Sequence, residues 1–242
     1  FDNDDKTDQA FYIHLNHNIE TINPDNPKTP SDIIPGTTKH YPSGVDKESL
    51  NKTVTRTINV ISPDGKTTTI KQPVTLQRSA TVDDVTGQIT YKAWNTGKWE
   101  EYDTPQISGY TPSPAKVSAT TVDGNTQDQT VNITYSANAQ KAGIKYIDDD
   151  TKETLSTDTD NGKGKFGQPI TFRTDPAKTI KDYEDQGYKL VTNNFKTTDT
   201  YQADNNKNQF EVHFIHGTTD VTPDKPKTPR DIIPCNTKHY TS

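Results

Sequence analysis

Residues 11–41 read FYIHLNHNIETINPDNPKTPSDIIPGTTKHY, and residues 210–240 read FEVHFIHGTTDVTPDKPKTPRDIIPCNTKHY. The second copy stands 199 positions after the first with no gap, and 17 of the 31 positions are identical. A shared secondary-structure bias reproduces neither that identity nor that register, so the chain carries a unit that recurs every 199 residues. On this reading residues 1–17 are the tail of a preceding unit, and the rest is one unit plus the opening of the next. The chain starts at Phe1 without an initiator Met or a secretion signal, and the expectation is a piece cut from a longer polypeptide.

Each copy has two parts. Phe210, Val212 and Phe214 alternate with Glu211, His213 and Ile215, as Phe11, Ile13 and Leu15 do in the earlier copy; this is the period-two pattern of a half-buried strand. Then come Pro24-Asp-Asn-Pro-Lys-Thr-Pro30 and Pro223-Asp-Lys-Pro-Lys-Thr-Pro229. Proline at this density favours extended polyproline II at about 3.1 Å per residue, so residues 18–45 and 217–242 are expected to be semi-rigid linkers in an elongated stalk. Residues 1–17 are expected to be the terminal hairpin of a domain whose remainder is missing.

Between the copies the chain is poor in core-forming residues, with 27% hydrophobic side chains and a mean hydropathy of −0.99. That favours two small β-rich domains over one large globule. No run of 18 apolar residues exists, so no helical membrane insertion is expected. The net charge of −6 disfavours nucleic acid and anionic membranes as partners, and an acidic ligand would have to meet local Lys or Arg. Met is absent and Cys235 is the sole cysteine, which excludes a disulfide framework and a thiolate metal cluster. Cys235 stands where the earlier copy has Gly36, in a segment expected to be an exposed linker.

Residues 46–137 read as a first domain. Val54, Ile58 and Val60 share one strand face, Ser62-Pro-Asp-Gly65 is a turn, and Ile70, Val74 and Leu76 share the next face. Asp83-Asp-Val-Thr-Gly87 closes a second hairpin before Ile89 and Tyr91, and Val131, Ile133 and Tyr135 end the domain. Residues 98–102 are expected to form one helical turn at most. Residues 138–216 differ by a helix: Asp175 caps, Pro176 opens the first turn, Ile180 and Tyr183 share a face and Gly187 stops it. Strand-strand-helix-strand-strand is the order of a β-grasp, or ubiquitin-like, domain.

These motifs in this order carry a resemblance. RTINVISPDGK, QPVTLQRSATVDDVTGQITY and the run from Trp94 through Trp99 to Tyr102 resemble the first domain of a mucus-binding (Mub) repeat. KAGIKYIDDDTKETL and EDQGYKLVTNNF are similar to the MucBP domain that follows it. The resemblance implies an α+β, β-rich chain of two tandem β-grasp domains, displayed on a Gram-positive cell wall of lactobacillus type and binding mucin glycans or glycoproteins through weak multivalent contacts. Some members of the family also bind immunoglobulins, which a sheet edge would permit. A pure stalk spacer is the third reading. The family's wall anchor and secretion signal are missing, as expected of an internal piece.

No nucleophile elbow, phosphate loop or HExxH pattern is present, and no enzyme is expected. His14/His17 and His213/His216 are strand residues three apart, so the rings of a pair point to opposite faces and cannot chelate one ion. Asp148, Asp150, Asp158 and Asp160 resemble parts of a calcium loop, but the EF-hand frame is wrong and its terminal Glu is absent; turn-forming Asp, with at most adventitious calcium, is expected. The aromatic run is the better lead. Trp94, Trp99, Tyr102 and Tyr110 lie in a Gly- and Pro-interrupted stretch beside Lys92, Lys98 and Lys116. Ligand-binding roles are expected for Trp94, Trp99, Tyr102 and Lys98, with Trp99 as the exposed sugar platform, although a domain this poor in Leu also needs its Trp inside.

Overall fold

The computed structural model describes residues 10–230 and divides the chain into two units. The first takes residues up to Thr104 together with Lys116–Ile133, and the second takes Pro105–Ala115 and the chain from Thr134 onward. Residues 105–115 thus cluster with the second unit although they lie within the span of the first in sequence.

The first unit opens with strand β1 (Ile19–Ile22), inside the segment expected to be a linker. Asp46 then accepts the Ser49 N–H at 2.8 Å and caps a single helical turn, α1 (Lys47–Leu50). Strand β2 (Asn51–Ile61) buries Val54, Ile58 and Val60 as its alternation requires, and Arg56 with them. Gly65 at φ +83° completes the turn into β3 (Thr67–Gln77), which pairs antiparallel with the whole of β2. Strands β4 (Ala80–Asp83) and β5 (Ile89–Tyr91) extend β1 into a three-stranded sheet. Then come β6 (Gly97–Trp99) and β7 (Tyr102–Asp103), so residues 98–102 form no helical turn. After β8 (Tyr110–Ser113), which belongs to the second unit, β9 (Lys116–Val117) pairs with β7 and β10 (Thr120–Val122) with β6. Those partners, distant in sequence, hold residues 98–102 extended. Strand β11 (Gln129–Ala137) runs parallel to β2 along its first half and antiparallel to β8 along its second.

Residues 18–45 are not a linker. β1 pairs with β4, and Ile22, Ile34, Tyr41 and Val45 form one core with Leu50, Ala80 and Val82. Proline discourages helix and interior ladder positions but not turns. Here Asn26 N–H donates to the Asn23 carbonyl, Asp32 accepts from the Thr29 N–H at 2.7 Å and its hydroxyl at 2.9 Å, and the Ile34 N–H donates to the Lys39 carbonyl. Those Thr29 bonds, the backbone one first, lower the Asp32 pKa. The Tyr41 hydroxyl donates to Glu20 at 2.5 Å. Desolvation, then Glu20, raises the Tyr41 pKa.

Residues 10–17, the described part of the expected terminal hairpin, carry no regular secondary structure, and Phe11, Ile13 and Leu15 are exposed. Their alternation needs flanking strands that lie in no described part of this chain. Residues 217–230 are exposed, with one isolated bridge between Thr222 and Lys225. Cys235 lies outside the described residues.

In the second unit β12 (Gly143–Asp148), β13 (Thr154–Thr159), β14 (Tyr188–Asn193) and β15 (Gln209–His216) form a sheet of order β13-β12-β15-β14. The last strand is central, parallel to β12 and antiparallel to β14. Helix α2 (Pro176–Asp185) starts where the sequence places it: Asp175 accepts the Ala177 N–H at 3.0 Å, and Gly187 takes φ +99° beyond its end. Ile180 and Tyr183 pack on a core of Ile144, Tyr146, Val212 and Phe214. Tyr201 is buried with its hydroxyl on Asp160 at 2.8 Å, and desolvation with that contact pushes its pKa up to about 12.

Both tryptophans lie in the first unit, so their fluorescence reports its unfolding alone. Ile34→Ala is expected to cost that unit about 2–5 kcal/mol, the usual penalty for emptying a buried aliphatic site. Val221→Ala, 199 residues from Ile22 and exposed, is expected to stay within about 0.5 kcal/mol. Urea titration read by Trp fluorescence measures both, and an unaltered Ile34→Ala midpoint would show that the segment is not core.

Candidate functional site

Strand pairing assembles the aromatic site. Beyond β3 and β5 the chain stays alongside with a one-residue slip: the Lys92 N–H donates to the Ser79 carbonyl, the Asn95 N–H to the Gln77 carbonyl, and the Gln77 N–H to Asn95 Oδ1 at 2.8 Å. This brings Trp94 beside Arg78. The Arg78 guanidinium carbon lies 4.4 Å from the Trp94 ring centre and 3.7 Å from that of Tyr91, a cation held between two rings. Its Nε donates to the Ser49 carbonyl.

Trp94 borders an open cleft of about 280 Å³ with Ala93, Asp123, Gly124 and Asn125. Asp123 shapes the opposite wall by accepting the N–H groups of Asn125 and Thr126 and the Thr126 hydroxyl. The Asn125 backbone bond, then the Thr126 side chain, lower the Asp123 pKa, so it is an anion at any physiological pH. Gly124 is required by contact: a Cβ there would lie 2.3 Å from Trp94 Cδ1.

Trp99 is not the platform. It is 2% exposed and packs with Val54, Leu76 and Val122, with Trp94 partly buried against the same cluster. Arg56 covers it, its guanidinium carbon 5.6 Å from the ring centre. Arg56 is itself buried and donates to Gln72 Oε1 at 2.9 Å, the Ser118 carbonyl at 2.8 Å and the Glu100 carbonyl at 2.5 Å. Those bonds offset the cost of burying its charge, which shows as a guanidinium pKa lowered by desolvation. The exposed Lys98 and Glu100 misled the reading of Trp99, because neighbours on a strand face opposite sides.

Tyr102 is half-buried in the β7–β9 pair, away from the lining of the cleft. Tyr110 belongs to the second unit, edge-on to Phe166 at 5.3 Å. Lys98 pairs with Glu100 and Lys116 with Glu101, each at 2.8 Å. Arg78, Tyr91, Asp123 and Asn125 were missed. The antiparallel return after β5 brings Tyr91 and Trp94 to Arg78, whereas only tertiary packing brings in residues 123–125.

The acidic candidates separate. Asp148, Asp150 and His216 have ligand-type atoms within 4.8 Å of one another, but the Asp148 oxygens already accept from the Asp150 N–H, the Thr151 hydroxyl and His216 Nε2. Asp158 accepts the Thr174 N–H and Asp160 binds Tyr201 and the Ala142 N–H, both apart from that group. All are turn or core caps. His213 Nδ1 lies 2.9 Å from Asp149, so the two histidines of β15 take different carboxylates.

The described residues thus form two β-rich units, the first with an open cleft beside Trp94. Residues 45–139 match the Muc B2-like domain family and residues 140–216 the mucin binding domain family. The two matches are contiguous, and the chain belongs to the mucus-binding repeat family, of Mub/MucBP type. Among solved structures it is similar to a mucin-binding domain from Streptococcus pneumoniae, at 32% identity over 36% of this chain and 92% of that one, TM-score 0.34. It is also similar to a type 2 repeat of the mucus binding protein MUB from Lactobacillus reuteri, at 29% identity over 57% and 68%, TM-score 0.34. A third is the MucBP domain of an adhesion protein from Pediococcus pentosaceus, at 30% identity over 36% and 99%, TM-score 0.30. Comparison with curated proteins finds no match.

Two outcomes follow. Trp99→Ala is expected to cost about 3–5 kcal/mol by urea denaturation, as for a buried aromatic. Trp99→Phe should cost far less, because the buried Nε1 has no hydrogen-bond partner to lose. The second outcome concerns His213, whose pKa Asp149 raises against the opposing effect of burial. A raised folded-state pKa makes this stabilisation full below about pH 6.5 and lost as pH climbs through the folded value. Asp149→Asn should therefore lower the melting temperature of the second unit at pH 5 and much less at pH 8.5; equal losses at both would show that the charge is not what matters.

Proposed function

We propose that the chain is a non-enzymatic repeat of an extracellular, cell-wall-borne adhesin, and that the cleft beside Trp94 receives sugar rings of mucin glycans. The observation that carries the reading is the cleft itself. It joins an aromatic edge, an ionised Asp123 that can accept sugar hydroxyls and the exposed side chain of Asn125. Sugars need that mixture, a flat apolar contact for C–H groups with convergent polar atoms around it. Arg78, between Tyr91 and Trp94, is the nearby cation for acidic sugars. A site this open binds weakly, and repetition along the chain raises avidity by orders of magnitude without new contacts.

Both units are read as β-grasp domains in tandem. The second supports this by its β-β-α-β-β order and by its last strand running parallel to its first in the middle of the sheet. The first supports it by the β2–β3 hairpin and the parallel return of β11 beside β2.

The test is binding of the whole chain to immobilised mucin before and after periodate oxidation. Ala93→Arg, which fills the mouth of the cleft from an exposed position, is expected to weaken binding at least about tenfold, the equivalent of roughly 1.4 kcal/mol, with the Trp-fluorescence melting curve unchanged. Asn125→Ala should weaken it less. Binding that survives periodate would point to protein recognition, as for an immunoglobulin at a sheet edge. Glycan binding indifferent to Ala93→Arg would move the site elsewhere. Absence of binding to either mucin would leave a spacer.

A further inference from the structure

We propose that residues 217–230 are the opening strand and turn of another first unit, that successive copies therefore abut without a spacer, and that His216 bridges the join. The first copy shows what this sequence does when a first unit follows it. Ile22, Ile34 and Tyr41 fill the core around Leu50 and Val82, and β1 pairs with β4. Their counterparts 199 residues on are Val221, Ile233 and Tyr240, with the Thr29–Asp32 turn preserved as Thr228 and Asp231. Residues 18–216, from the start of the folded segment to the end of β15, are themselves 199 residues long, so one period is one folded repeat with nothing left over for a linker. Val221 is 49% exposed here and Ile22 1%, the difference expected of a core residue without its core.

The junction histidine is seen twice, once from each side. His216 ends β15, and its Nε2 lies 2.9 Å from Asp148 of its own unit. Its Nδ1 is loosely placed, 3.8 Å from Asp150. His17 holds the same place one period earlier, and its Nδ1 lies 2.7 Å from Asp83 of the unit that follows. In the next residue, the Asn18 carbonyl accepts the Asp84 N–H at 3.0 Å, a backbone bond open equally to Gly217. At the proposed join one imidazole takes both roles, Nε2 on Asp148 and Nδ1 on the Asp83 of the incoming unit. A neutral imidazole donates only once, so donating to both carboxylates requires both ring nitrogens to carry a proton. The groups facing it are Asp148 and Asp150 from the turn after β12, the Tyr188 ring on β14 at 5.6 Å, and the incoming Asp83 on β4. This join is independent of the glycan reading.

The test is a joined chain, residues 1–240 followed directly by residues 42–242, with the internal Cys235 changed to Gly because Gly36 stands at φ +76° there. It is expected to show twice the Trp signal of the present chain and one first-unit transition at the same temperature. Val221→Asp at the join should split half of that signal into a lower transition, while leaving the present chain unchanged. Two transitions in the unsubstituted joined chain, or indifference to Val221→Asp, would overturn the proposal. For the bridge, NMR at pH 5.5 should detect both ring N–H protons of the internal His216 in the joined chain and lose the Nδ1–H signal on Asp83→Asn in the second copy. An Nδ1–H signal unaffected by that change, or never detected, would overturn the histidine's role.

Discussion

Leu50, Ala80 and Val82 are too few to close a core, and that shortage governs how this chain folds. With only 27% hydrophobic residues, each small core must recruit side chains from unlikely places. The proline-rich segment supplies Ile22, Ile34 and Tyr41 to one. A second takes Trp99 and covers it with the buried guanidinium of Arg56. The second unit relies on aromatic rings, with Tyr183, Tyr188 and Phe214 in mutual contact and Phe172, Phe195 and Phe210 in another set. Polar groups then become structural: Asp160 ties Tyr201 to the backbone of Ala142, and Arg56 ties residues 100 and 118 to β2.

The same shortage shapes the candidate site. Because Trp99 is taken for packing, Trp94 is the tryptophan left at the surface, and it is steadied by Arg78 rather than by depth. A cleft made this way is open, and the glycan recognition proposed for it would draw its strength from many weak copies.

The proposed abutment of repeats would give the histidines of β15 a place in the architecture. His213 and His216 each take a separate carboxylate, and His14 and His17 are their copies one period earlier.

Local signals were enough wherever a residue's neighbours in sequence were also its neighbours in space. The β2–β3 hairpin at Ser62–Gly65, the Asp175-capped helix with its stop at Gly187 and the alternating β15 follow from φ preferences, capping and side-chain periodicity, all short-range properties, and the 199-residue period follows from residue identity alone. The mucus-binding family was also legible, because motif order survives where contacts cannot be seen. Tertiary structure decided what depends on distant partners. Residues 18–45 fold because β4 offers an edge and Leu50 a core; residues 98–102 are strand because β9 and β10 come back to pair with them. Trp99 is inside and Trp94 outside because strand pleating sends Trp99 toward Val54 and Leu76, while the register after β5 sends Trp94 to Arg78 at the cleft. Two tryptophans five residues apart look alike in a sequence, and only the strands packed around them assign one to the core and the other to the surface.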